Sequence, residues 1–220
     1  MHELIEQWKR EEDNRRVFLA CYTMMTENML EAISEREFED CPWVDELLHH
    51  FAAYYFQGLK TFENNPRHTP AVWAVAHRTA QNQKAHVMQH LFLGINAHIN
   101  YDLVMTLVDM LDPGWAALPE PDLASRYRDY CHVNQIIAGT IDEVQDSVLE
   151  SINPGLAVLD RLGGRLDEWL ASRLINAWRE EVWGDALRLL AAKDPSERGL
   201  LRREVESKTL RISRRILSLP

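Results

Sequence analysis

A chain of 220 residues, 46% hydrophobic and 26% charged, carries enough apolar material for a buried core, which excludes wholesale disorder; nine Gly and nine Pro exclude collagen-like or low-complexity character. The formal net charge of -10 excludes a nucleic-acid binder that works by neutralising phosphates. Three cysteines, Cys21, Cys41 and Cys131, show no C-x-x-C spacing, and the opening Met-His-Glu-Leu-Ile-Glu lacks the basic segment and apolar run of a signal peptide, so a reducing, cytoplasmic location is expected.

Helix signals dominate from the first residues on. Residues 3–33 are predicted as one helix, with Leu4, Trp8, Phe18, Cys21, Met25 and Met29 on its apolar side. Pro42 marks the first turn of a second helix, to about Phe62. Asn64-Asn65-Pro66 is a turn. A third helical region opens at Thr69-Pro70 and reaches about Met110, with room for a break near Gln81–Gln83. Asp112-Pro113-Gly114 starts a Pro-rich loop to Pro121 that contains Trp115. A fourth helix is predicted over Asp122–Ser151, ended by Asn153-Pro154-Gly155, and a fifth over Leu156–Ala192 with a bend at Gly163-Gly164. Asp194-Pro195-Ser196-Glu197 is a start signal for the last, to about Leu217. No window alternates apolar and polar residues for long enough to predict a sheet. The expected architecture is one all-α domain over residues 1–220, a bundle of about six helices.

Charge is unevenly placed. Residues 1–64 carry a net of -8, residues 65–160 a net of -6, and residues 161–220 a net of +4. Three stretches contain no Asp, Glu, Lys or Arg: 47–59, 85–101 and 130–141. Charged side chains are almost never fully buried unless paired, so these stretches are the expected core elements. The longest has 17 residues and holds His86, Gln89, His90, Asn96, His98 and Asn100, too polar and too short for the roughly 20 apolar residues of a membrane span. In a straight helix His98 and Asp102 stand one turn apart on one face, His86 and His90 form another pair, and Gln89, Asn96 and Asn100 a third stripe. Such a helix is expected to be surrounded by protein, with each amide and imidazole needing a partner.

The string Gly94-Ile-Asn-Ala-His-Ile-Asn-Tyr-Asp-Leu103, preceded by His90-Leu91, resembles the signature of an uncharacterised bacterial family built around a domain of unknown function. The aromatic cluster Phe51–Phe56 and Asp129-Tyr-Cys-His-Val-Asn134 are weaker echoes. The resemblance implies an all-helical protein of similar length and supplies no reaction. A looser likeness, confined to Ala97, His98 and Asp102, is to helical zinc-dependent phospholipases and nucleases. The N-terminal Trp ligand of those enzymes has no counterpart, since Trp8 is internal.

Three readings of the central segment compete. In the first, a pocket lined by His90, Asn96, His98, Asp102, Asn134 and Asp142, and walled by Tyr54, Tyr55, Phe92 and Tyr101, binds a small organic molecule. His98 acts as general base, its pKa raised by Asp102, and Asn96, Asn100 and Asn134 hold a carbonyl or an oxyanion, which suits isomerisation, cyclisation or hydrolysis. In the second, His98 and Asp102 join Glu46/His49 and Asp129/His132, two acid-x-x-His pairs, around zinc or iron, with Asp142 or Asp146 adding a carboxylate. In the third, the polar groups form a satisfied buried network that sets helix register, and the chain is a non-catalytic binding or interaction module. No G-x-S-x-G elbow, Walker loop or dinucleotide fingerprint is present.

Overall fold

A computed structural model describes residues 1–82, 85–144 and 165–218. Among them there is no strand, and every regular element is helical, as predicted. Two interruptions raise the number of helical segments above the expected six. The first splits the helix predicted over 3–33 into α1 (His2–Arg10) and α2 (Arg15–Ser34). Glu12 adopts a left-handed φ of 55°, the Asp13 amide bonds back to the Trp8 carbonyl at 2.8 Å, and the Asp13 carboxylate accepts the Arg15 amide at 2.9 Å. A short acidic side chain that satisfies a nearby backbone amide competes with the helical ladder, and hydrophobic periodicity does not register it.

Helix α3 (Cys41–Asn64) begins as Pro42 predicts; Asp40 accepts the Trp43 amide at 3.1 Å, and Pro42 sits in the first turn, where its missing N–H is not needed. A short 3₁₀ turn, Pro66–His68, leads to α4 (Ala71–Ala80). The second interruption follows Ala80, at the break foreseen there. Helix α5 (Val87–Ala97) restarts with His86 as its cap: His86 Nδ1 accepts the Met88 amide at 3.2 Å while Gln89 Oε1 accepts the His86 amide at 3.0 Å. A π turn over His98–Asp102 joins α5 to α6 (Leu103–Leu111). The segment predicted as a Pro-rich loop opens with a 3₁₀ stretch, Asp112–Ala117. Helices α7 (Glu120–Val144), α8 (Arg165–Leu190) and α9 (Pro195–Leu217) complete the described chain. Asp194 caps α9, accepting the Ser196 and Glu197 amides at 2.8 and 2.9 Å. The expected stop at Asn153-Pro154-Gly155, the bend at Gly163-Gly164 and Asp146 lie outside the described residues, as does the side chain of Asp142.

The chain divides into two compact units. One comprises Met1–Glu46 and Leu118–Ala177; within it α2 packs on α1 and α7, burying Trp8, Val17, Leu19 and Tyr130. The other comprises Leu47–Ala117 and Trp178–Pro220; within it α9 packs on α4, α5 and the π turn, and α4 packs on α5. Its centre is α6, where Leu103 through Val108 are all buried. Each fully buried Leu or Val there contributes on the order of 1.5–3 kcal/mol. By length and composition the run Val87–Ala117 would cross a membrane, yet 78% of its most apolar window is buried inside the protein, which makes it a core helix.

Candidate functional site: a buried histidine–aspartate pair in a π turn

The π turn arises because the Leu103 amide bonds to the His98 carbonyl, five residues back, admitting one extra residue into the turn. The widened turn sets residues four apart nearly one above the other, and His98 Nδ1 stands 3.0 Å from Asp102 Oδ2. Helix α4 supplies the third member. Trp73 Nε1 donates to both oxygens of Asp102, at 3.0 and 2.9 Å. The Asp102 backbone carbonyl accepts the Thr106 hydroxyl at 2.8 Å. Trp73 and Asp102 are each 1% exposed and His98 3%. With Asp102 ionised, the geometry assigns the imidazole proton to Nδ1 and leaves Nε2 as the basic nitrogen.

Aromatic rings enclose the pair. Phe51 stacks on the His98 imidazole, ring centroids 3.6 Å apart and planes 7° from parallel. Tyr55 presents an edge at 6.1 Å and Trp73 lies tilted at 6.2 Å. His77 stacks on Trp73 at 5.1 Å and meets Phe62 at 4.9 Å. This surrounding decides the electrostatics. Burial holds His98 below its ordinary pKa, outweighing the upward pull of Asp102. That corrects the expectation of a raised imidazole: the carboxylate does pull upward, but the loss of water pulls harder. Burial likewise pushes Asp102 up, against the hydrogen bonds from His98 and Trp73. Both shifts favour the uncharged form of the group concerned.

A second polar group lies on the same run. Asn96 Nδ2 donates to the Thr209 carbonyl at 3.0 Å and to Ser213 Oγ at 2.9 Å, both on α9. Asn96 Oδ1 accepts from Asn100 Nδ2 at 3.0 Å, and the Asn100 carbonyl accepts the Thr209 hydroxyl at 3.1 Å. Of the two asparagines proposed as substrate contacts, Asn100 thus donates to Asn96, and Asn96 donates to α9. Asn100 Oδ1 accepts no hydrogen bond among the described residues.

Of the remaining proposed residues, His90 is buried about two turns before His98, and Tyr101 is half-buried beside Asp102. Tyr54 donates to Asp109 at 2.5 Å, and burial together with that carboxylate pushes its phenol well above the ordinary range. Asn134 belongs to the other unit. The acid-x-x-His pairs have other surroundings. Glu46 and His49 are exposed. Asp129 is buried and accepts the Glu39 and Asp40 amides, both at 2.8 Å, and His132 meets Glu37 at 3.2 Å and the edge of Phe38. Among the described residues no three His, Cys, Asp or Glu gather as a metal ion requires.

Trp73, Phe51 and the α9 partners Thr209 and Ser213 were not singled out from the sequence as site residues. The available signals were modest: a lone Trp in the Ala/Val-rich start of α4, an aromatic residue in a charge-free stretch, and two small hydroxyls one turn apart on a highly charged helix. Comparison with curated proteins yields no match, and comparison with solved structures yields none. A family model does match, over residues 1–219 and so across both units, and the chain belongs to that family, described as a family of unknown function (DUF5995).

Proposed function

We propose that the chain is an enzyme that moves a proton on a small organic molecule, by isomerisation, cyclisation or hydrolysis. His98 is the proton-transfer group and Asp102 orients it. Trp73 is a positioning residue that holds Asp102. The observation that carries this reading is the buried chain Trp73–Asp102–His98. A buried ionisable pair is poor value for stability, since well-packed apolar residues of similar volume are often as good or better. An imidazole kept neutral by burial, its tautomer fixed by a carboxylate, has the properties a general base needs. π turns occur frequently at functional sites, and this one contains both members of the pair. The three cysteines are free thiols, which suits a cytoplasmic protein, and burial pushes Cys21 up to about 12, which suits an inert thiol at that position.

The test is untargeted. Wild type, His98→Gln and Asp102→Asn are incubated with a metabolite extract in deuterated water, and consumption and deuterium uptake are followed by mass spectrometry. Loss of an acid/base group costs on the order of 10²–10⁴-fold in rate, so species turned over by wild type are expected to persist with His98→Gln. Equal turnover by His98→Gln, or none by wild type, overturns the proposal.

A second reading, a non-catalytic binding or interaction module, draws support from the Asn96–Asn100–Thr209–Ser213 ladder, whose hydrogen bonds serve to join α5 and the π turn to α9.

A further inference from the structure

A proton-transfer group must be reached, and the rings around His98 differ in how they could allow it. Tyr55 and Trp73 are buried, while Phe51, one turn before Tyr55 on α3, is half-buried. The exposed His49 and His50 precede Phe51, and buried Leu47 and Leu48 precede them, so Phe51 stands where the α3 surface passes from core to solvent. Its ring covers one face of the imidazole. We propose that Phe51 is the gate of His98, and that the seat it vacates takes a planar, unsaturated group of the substrate. This deepens the acid–base reading and rests on it.

Two physical points support the gate. Rotation of one part-exposed side chain about its own bonds requires no helix to move, and such rotamer changes are fast compared with local unfolding. The vacated space is a slab one ring thick, because the Phe51 and His98 planes are within 7° of parallel with centroids at 3.6 Å. A flat ring refills that slab at stacking distance. A saturated ring of the same carbon count is thicker and does not fit.

The experiment reads accessibility, so it can fail independently of the metabolite comparison. Carbethoxylation of His98 by diethyl pyrocarbonate is followed on the full chain by peptide mass spectrometry, with the exposed His68 as internal reference. In wild type the His98 rate is expected to be independent of urea below the unfolding transition, because a side-chain rotation exposes little new surface. Phe51→Ala is expected to raise the His98/His68 rate ratio at least about tenfold, as removal of the cover predicts. Indole is expected to slow modification of His98 in wild type at concentrations where cyclohexanol does not. The proposal is overturned if His98 in wild type reacts with the urea dependence of global unfolding, or if folded Phe51→Ala leaves the ratio unchanged. It is also overturned if indole and cyclohexanol act alike. Should Phe51→Ala fail to fold, the urea dependence and the two probes in wild type decide the matter without it.

Discussion

The helical run from Val87 to Leu111 carries two buried polar groups that differ in kind. The ladder of Asn96 and Asn100 is neutral, and it spends its amide hydrogens on Thr209, Ser213 and an internal bond. The pair of His98 and Asp102 is ionisable, takes the indole N–H of Trp73 from α4, and is faced by aromatic rings. A neutral ladder joining two helices has a sufficient structural purpose. A buried ionisable pair has a weak one, because desolvation offsets most of its mutual attraction. The difference separates residues that assemble the unit from residues available for chemistry, although both lie within seven positions of sequence.

Breaking the pair is the largest perturbation. Asp102→Leu strips His98 and Trp73 of their common acceptor and is expected to cost about 3–5 kcal/mol, measured by urea denaturation. His98→Leu/Asp102→Leu together should recover much of that loss, leaving mainly the Trp73 N–H unsatisfied. A double variant as unstable as the single would assign the pair a structural role after all. Next, Asn96→Leu leaves Asn100 Nδ2 and the Ser213 hydroxyl short of a partner and should cost about 2–3 kcal/mol, with no dependence on pH between 4 and 8, since nothing in the ladder titrates. A pH-dependent loss would show that the two groups are coupled.

The pair itself makes stability depend on pH. Asp102 is raised from its ordinary 3.8 and His98 lowered from its ordinary 6.5. A raised carboxyl loses stability as pH climbs above 3.8, and a lowered imidazole loses it as pH falls below 6.5. Between those values the two slopes oppose one another. His98→Gln, which leaves the carboxyl as the titrating member of the pair, should lose stability relative to His98→Gln/Asp102→Asn as pH climbs above about 4, by at most about 1.4 kcal/mol per pH unit. A relative stability that grows with pH would contradict the raised carboxyl. The smallest effect is expected at an exposed ion pair in the other unit. Glu39 is pulled down to about 2 by hydrogen bonds from Arg128 and Ser125. Glu39→Gln should nonetheless move the urea midpoint little, because solvent screens such pairs.

Much of this organisation was legible in residue order. The π turn falls inside the longest charge-free stretch and its edge, and His98 and Asp102 do meet as their spacing predicts. The start of α3 and the cap at Asp194 were readable because Pro42 and Pro195 mark the first turn of their helices. Absence of charge was an imperfect guide to burial. Within 130–141 only Tyr130, Val133 and Thr140 are buried, while the most continuous buried run, Asp102–Val108, begins with a carboxylate just past the end of a gap. A charge paired across helices looks, in sequence, like any surface charge. The role of Trp73 was illegible for the same reason: its bond to Asp102 spans 29 positions, and no local pattern records it. The downward shift of His98 was missed because spacing reveals the neighbouring carboxylate and not the stacked Phe51 that keeps water away.

The π turn also stores a record of length. It is one residue wider than an α-turn, so tightening it to α geometry with every residue kept would rotate each side chain beyond it by about 100° relative to α5. Asn96 could keep its grip on α9, or Asp102 its place beneath Trp73, but not both. The extra residue is what lets one helix serve two neighbours whose demands on its phase are incompatible.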